Sequence, residues 1–563
     1  GVPMQAAVNT VFCLALSPGR TPLVLWPNAR FKSSSSVSRF PLALRPAASR
    51  YHSCHLTLAE VDAVPSPTAA NVLILVPNAA SNFGQTSPEP SPMWPEVASH
   101  LAARMSNFDS RVSGSAWTDV DALGFDDAVA NSDMLLVIDL AETDSINVLR
   151  RAIASSPRLR ACVCIGCTPA LDELQFVGAF RPSGLSPLDS LAQQLMPWGE
   201  VARGARLHQQ ACSLISRASS EDLIYACFFV LHAYVLSLPL VQHTVSPTWE
   251  KGFGNVKEFY KMVQCCGLPI LRAVTDPTTK QAIDMLNECD MRDQVGSYRV
   301  ITSFETPFLE AFSLCILQRN NCFNCDSQIL RRPEVAPMST WCGEPLSWET
   351  AAQIFYGHLD IPQASEAGQR LSQSWKIVCG ANPAYDAFPA QHQIFYPGKA
   401  KDSIWYDPVF KVDTVDGRSV WRRRHYRVRR VRSEGPGVWM LSTLDNGVLS
   451  SERWTMVDAA DDLAWAVFHY SGAAAVVGQS YVGALLCSAD GLWPQEGGRE
   501  RIRSALRKCD LQLWELYGHG PHASYMWSEE QLEWLADNPP PLDPLAPADA
   551  DAADREVALS MAP

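Results

Sequence analysis

Four polar side chains stand among aromatic neighbours in the stretch 375–487: Asp386 in NPAYDAF, Gln391 just after it, Glu452 in SSERW and Tyr470 in FHYSG. A carboxyl in an apolar setting can pass a proton to or from a buried ligand, while a phenol or an amide can orient that ligand's oxygens. Each also has an ordinary structural role. Glu452 fits a solvated strand face, because Arg453 and Trp454 alternate beside it. Asp386 fits a cap on the turn after Asn382-Pro383. Tyr470 and Gln391 could equally satisfy buried backbone groups. Cys322-x-x-Cys325 has redox or half-zinc spacing, but only Cys342 lies near it and no second pair does.

The elements that must hold these residues read as a small antiparallel barrel. Strand-like runs rich in Trp, Tyr, Val and Ile span 375–379, 391–396, 404–412, 419–428, 438–444, 448–457, 463–470 and 480–488. Turn residues separate them at Pro397-Gly398, Asp416-Gly417, Gly435-Pro436-Gly437 and Asp445-Asn446-Gly447. Eight runs at hairpin spacing, then a helix over 499–508, fit an eight-stranded up-and-down barrel better than a sandwich. Such a barrel either holds one small ligand or is packed solid. Its aromatics Trp375, Phe388, Phe395, Trp405, Trp421, Trp454 and Trp465 are the expected ligand-pocket residues.

These runs resemble the violaxanthin de-epoxidase family, and most closely its related-protein branch. The matching stretches are WKIVCGANPAYDAF, 391–396, IWYDPVFKV, VWRRRHYRV, LDNGVLSSERWT and DDLAWAVFHYSG, in one order. Upstream, VTDPTTKQAIDMLNEC and DQVGSYRVITSFETPFLEAFSLCILQRNNC resemble the same branch. The resemblance implies a lipocalin-type barrel, a carotenoid ligand of the violaxanthin kind, and reductive opening of its 5,6-epoxide. Ascorbate is the implied co-substrate, with no metal; a chloroplast setting, a thylakoid membrane surface and a homodimer are implied as well.

By position, Glu452 stands where the family has a catalytic aspartate, and Tyr470, Gln391 and Asp386 stand on family site positions. The chain also departs from the pattern. Pro389 and Ala390 replace an acid and a cysteine, Gln393 stands for a histidine, and Cys487 stands for a site tyrosine. Thr279, Met285, Gly296 and Val300 hold four of seven helical-region cysteine positions, leaving Cys289, Cys315 and Cys322. Losing most cross-links implies a reducing compartment or a repacked domain. Two functions therefore stand open: a de-epoxidase or a sister epoxide isomerase, and a non-catalytic carotenoid- or lipid-binding lipocalin or assembly factor.

The rest of the chain predicts a multi-domain α+β protein. Short apolar runs at 71–77, 134–140 and 160–165, alternating with helix-like segments, predict a small α/β domain over 70–200. No Gly-x-Gly-x-x-Gly or Walker loop follows any strand. A helical, formerly cysteine-rich region is expected over 220–326, a linker and helix over 327–372, and the barrel with its C-terminal helix over 373–510. The apolar run 223–241 reads as a buried helix rather than a membrane span, since His232 and Pro239 interrupt it. The first 59 residues lack Asp and Glu, carry six Lys/Arg and read as an organelle transit peptide, which the resemblance implies is plastid-directed. The Pro- and Ala-Asp-rich tail over 536–563 reads as disordered. A net charge of −13 argues against nucleic acid as a partner. The eight arginines between Arg418 and Arg432 alternate with apolar residues as on a solvated barrel wall.

Overall fold

The computed structural model describes residues 69–84, 89–141, 145–184, 200–217, 219–236, 256–289, 292–323, 325–357, 374–388, 391–398, 403–494 and 496–518, with Trp534 and Asp537. The expected leader, Pro389, Ala390 and the tail beyond Asp537 lie outside the described residues.

The N-terminal part is a five-stranded sheet in the order β2-β1-β3-β4-β5. Strands β1 (Ala70–Leu75), β2 (Val112–Trp117), β3 (Met134–Ile138) and β4 (Ala161–Ile165) run parallel, and the short β5 (Phe176–Val177) is antiparallel at one edge. Helices cover both faces, so β3 reads MLLVI with every residue buried. On β1, Val72 and Ile74 face α1 (Trp94–Phe108) and, further on, α5 (Ser220–Tyr234); Leu73 and Leu75 face α2 (Phe125–Ala130) and α3 (Ser145–Ala154). Helix α4 (Glu200–Ile215) packs with α5. Strand β2, with the sequence VSGSAW, was not foreseen because it is short of apolar residues. Its Gly114 lies so near Ala102 of α1 that an added Cβ would sit 2.7 Å from the Ala102 Cα. The apolar run from Leu223 onward is the buried helix α5, and no helix among the described residues is long and apolar enough to cross a membrane.

A short hairpin, β6 (Thr340–Trp341) and β7 (Glu344–Pro345), precedes the barrel, which closes fully. Strands β8 (Trp375–Gly380), β9 (His392–Pro397), β10 (Ile404–Asp413), β11 (Ser419–Arg423), β12 (Tyr426–Arg430), β13 (Val438–Asp445), β14 (Val448–Ala459), β15 (Trp465–Ala474) and β16 (Gln479–Ser488) pair antiparallel, and β16 returns to β8. Strands β11 and β12 both pair with β10 and form one broken stave, so the barrel has eight positions. The expected single strand 419–428 breaks at Arg424-His425 for a physical reason. Arg424 turns into the barrel mouth, 2.9 Å from Asp445, whereas His425 turns outward, 2.7 Å from the buried Asp407. The hairpin at Asn446-Gly447 has both residues at positive φ, 50° and 76°, as that turn chemistry requires.

One end of the barrel is filled. Helix α10 (Trp348–Tyr356) inserts Phe355 between Phe395 and Phe468, with ring centroids 4.6 and 5.6 Å away, and Trp439 packs edge-on at 5.4 Å. Phe355→Ala is expected to cost about 3–5 kcal/mol and to extend the interior toward this end. A thermal unfolding curve together with a larger bound ligand would show it; an unchanged Tm would mean that the stack does not carry the core.

The other end is covered by the helical region: α6 (Val256–Thr275), α7 (Pro277–Glu288), α8 (Gln294–Ser303) and α9 (Pro307–Ser313). Tyr298 of α8 packs against Phe388 and Phe410 at the mouth, and Gln318 accepts the Leu449 N–H at 2.8 Å. The lost cysteine positions are repacked. Val300 is buried, Met285 packs against the helical core, Thr279 bonds the Thr306 hydroxyl at 2.6 Å, and Gly296 donates its N–H to Asp293. One disulfide joins Cys315 to Cys266, a partner outside the family spacing, across 49 residues. Reducing it is expected to lower stability by up to about 4 kcal/mol. Unfolding with and without reductant checks this, and equal Tm values would count against it.

The α/β domain is tied to the barrel by buried charge. Arg104 of α1 lies 2.7 Å from Glu515 and 2.8 Å from the Ser220 hydroxyl, and His100 lies 2.8 Å from Glu515. Arg292 joins Glu221 and Asp222 of α5 at 2.7 and 2.9 Å.

Candidate active site

Between the Phe355 stack and the helical cover lies a cavity of about 330 Å³. Its polar centre is Glu452. On β14 the alternation sends Val448, Ser450, Glu452 and Trp454 inward, while Arg453 turns outward to Glu434. Glu452 is therefore an inner-wall residue rather than one on a solvated face. Its Oε1 accepts the Tyr481 hydroxyl at 2.7 Å, and its Oε2 accepts the Trp454 indole N–H at 2.7 Å. Asp445, the other carboxylate lining the cavity among the described residues, is held by Arg424.

Five phenols surround this carboxyl: Tyr385, Tyr406, Tyr426, Tyr470 and Tyr481. Burial first, and then the Glu452 charge, pushes the phenols of Tyr385, Tyr406, Tyr426 and Tyr481 far above their ordinary range. Burial and the neighbouring Tyr385 do the same for Tyr470. They are neutral hydrogen-bonding groups rather than bases. The backbone makes room for them: a Cβ at Gly472 would overlap the Tyr481 ring, and one at Gly483 would overlap Tyr470. These strand glycines are the sequence signal that could have located Tyr481, which was not singled out beforehand.

Of the other anticipated residues, Gln391 lines the cavity and donates to the Ala384 and Phe388 carbonyls at 2.7 and 2.8 Å. Its amide thus supports the β8–β9 connection as well as facing the site. Asp386 lies off the cavity and accepts the Gly518 N–H, pinning the C-terminal segment to the barrel. Gln393, at the family's histidine position, accepts the Tyr406 hydroxyl on the inner wall. Cys487 is fully buried on the inner side with Leu485.

The anticipated aromatic pocket divides. Phe388 and Trp454 line the cavity. Trp375 and Phe395 belong to the filled end, where Trp375 donates to the Ile354 carbonyl at 2.8 Å. The remaining three lie away from the cavity. Trp405 stacks on His425 at 4.2 Å, Trp421 stacks on Trp534 at 5.7 Å, and Trp465 packs beneath α11 (Glu496–Lys508) with Arg501 over its ring. Strand parity is the reason: Tyr406 faces in, so Trp405 faces out, and Phe468 and Tyr470 face in, so Trp465 faces out. No group of three His, Cys, Asp or Glu that could hold a metal occurs among the described residues.

The family described as "VDE lipocalin domain" matches residues 258–518. Among solved structures, lipocalin 12 from rat epididymis aligns at 11% identity over 33% of this chain and 87% of its own, with a TM-score of 0.21. Lobster apocrustacyanin A1 aligns at 8% identity over 33% of this chain and 91% of its own, with a TM-score of 0.20. No curated protein matches the chain. Residues 258–518, the helical cover and the barrel, are thus similar to a VDE lipocalin domain.

Proposed function

We propose that the cavity takes the cyclic end of a carotenoid-like isoprenoid and that Glu452 protonates its 5,6-epoxide during reductive opening. One observation carries this reading. Glu452 is a carboxyl without an ion pair among the described residues, on the inner wall of a largely apolar cavity, with neutral phenols beside it. An epoxide oxygen leaves poorly until it is protonated, and a carboxyl in such a setting supplies that proton.

The cavity also sets the size of the ligand. A volume of about 330 Å³ equals roughly eleven waters at about 30 Å³ each. That suits an ionone-sized ring with its first side-chain carbons. Because the Phe355 stack closes the far end, the rest of a long polyene must leave through the helix-covered mouth. The chemistry balances with a two-electron enediol reductant such as ascorbate. One proton goes from Glu452 to the ring oxygen as the first C–O bond breaks. Two electrons from the reductant and a second proton release the oxygen as water and leave a C=C bond. On this reading the protein works in a plastid, beside the thylakoid membrane that stores such pigments.

Incubation with β-ionone 5,6-epoxide or violaxanthin and ascorbate, followed by chromatography, tests the reading. De-epoxidised product supports it. Saturable binding with no product, with or without reductant, would leave a ligand-binding lipocalin instead.

A further inference from the structure

A second chamber of about 190 Å³ adjoins the first cavity. Glu221 and Asp222 of α5, Arg217, Arg292 and Asp293 place five charged side chains on its walls. Gln294, Asn382 and Tyr481 line both spaces. The Asn382 amide donates to Gln294 at 3.0 Å, leaving the Tyr481 ring as the other element of the partition.

We propose that Tyr481 relays protons from this second chamber to Glu452, recharging the acid while an apolar ligand fills the first cavity. The inference rests on Glu452 being the proton donor of the proposed reaction. Hydrogen-bond chemistry indicates which oxygen exchanges. The Trp454 indole N–H can only donate and is met better by a carbonyl than by a hydroxyl oxygen, which favours the proton on Oε1. Oε1 faces the Tyr481 hydroxyl at 2.7 Å. That hydroxyl both donates and accepts, which a relay requires.

The step balances. The Tyr481 O–H bond breaks toward Oε1 as the same oxygen takes a proton from a chamber water, which is itself reprotonated from solvent. One proton moves and Tyr481 stays neutral. The strongly raised phenol, with burial the main cause and the Glu452 charge next, makes a concerted shift the economical route. Tyr426, Tyr470 and Arg424 also face Tyr481 from the inner wall. In the chamber, Glu221 pairs with Arg292 at 2.7 Å, and burial raises its carboxyl despite that partner. At roughly 30 Å³ per molecule the chamber holds about six waters.

Infrared difference spectroscopy tests the relay independently of turnover. The protonated-carboxyl band of Glu452 is assigned by its loss in Glu452→Gln, and its deuterium shift is timed after mixing into D2O. With β-ionone filling the cavity, Tyr481→Phe is expected to slow this exchange by about tenfold or more. Without β-ionone the rates should match wild type, because water in the first cavity offers another route. Equal exchange in the filled state, slowed exchange in both states, or no carboxyl band lost in Glu452→Gln would each overturn the relay. A wild-type protein that exchanges through Tyr481 but converts no epoxide would refute the enzymatic reading and leave the relay standing.

Discussion

Glu452→Gln is expected to lower the rate of epoxide opening by at least about 100-fold, the ordinary scale for losing a positioned general acid. The amide keeps the shape of the side chain and can still accept the Trp454 N–H, but it has no acidic proton to give. Binding of the ring should therefore survive, with affinity within about threefold of wild type. Initial rates by chromatography, alongside a binding titration with the non-reactive β-ionone, separate the two effects. Retained rate in the variant would remove Glu452 from the chemistry. Rate and binding lost together would make it a packing group. Asp386, tied to the Gly518 backbone and away from the cavity, is not placed to substitute for it.

Glu515→Gln is expected to destabilise the protein as much as Phe355→Ala. Removing one partner of a buried ion pair typically costs about 3–5 kcal/mol, because the other charge is left uncompensated. Glu515→Gln leaves Arg104, itself 2% exposed, without its carboxylate between the α/β domain and the barrel. The pH dependence has a definite sign. Burial alone would raise the Glu515 carboxyl, but Arg104 and the His100 hydrogen bond outweigh it and hold the group down at about 2, against 4.5 when unfolded. The unfolded chain thus takes up the proton first. The contribution of this group is full above about pH 4.5 and is lost as pH falls toward about 2. Denaturant unfolding of wild type and variant across that range should show the gap closing at the acid end. A gap that stays constant with pH would contradict the assignment.

The barrel was legible because its information is local. Alternating β-branched and aromatic runs and the Asp445-Asn446-Gly447 turn reproduce the observed strands to within a few residues. The break at Arg424-His425 was not legible, since it depends on Asp407 and Asp445, which are distant in sequence. Strand β2 was hidden because its inward contact is a glycine against Ala102 rather than an apolar side chain. At the site, family position identified Glu452, Tyr470 and Gln391, and all three line one cavity. Choosing pocket residues by aromatic character ignored parity, and so Trp405, Trp421 and Trp465 were misplaced. Counting outward from Glu452 and Tyr470 in steps of two would have excluded Trp465. Tyr481 required knowing that Gly472 of the neighbouring strand leaves space for a ring.

A crystal structure with β-ionone 5,6-epoxide bound tests the central claim most directly. The account predicts the ring inside the cavity, its epoxide oxygen within about 3 Å of Glu452 Oε1, and its side chain pointing to the helix-covered mouth near Tyr298. A ring bound with its epoxide turned to that helical cover, or held outside the barrel, would contradict the assignment of Glu452 as the acid.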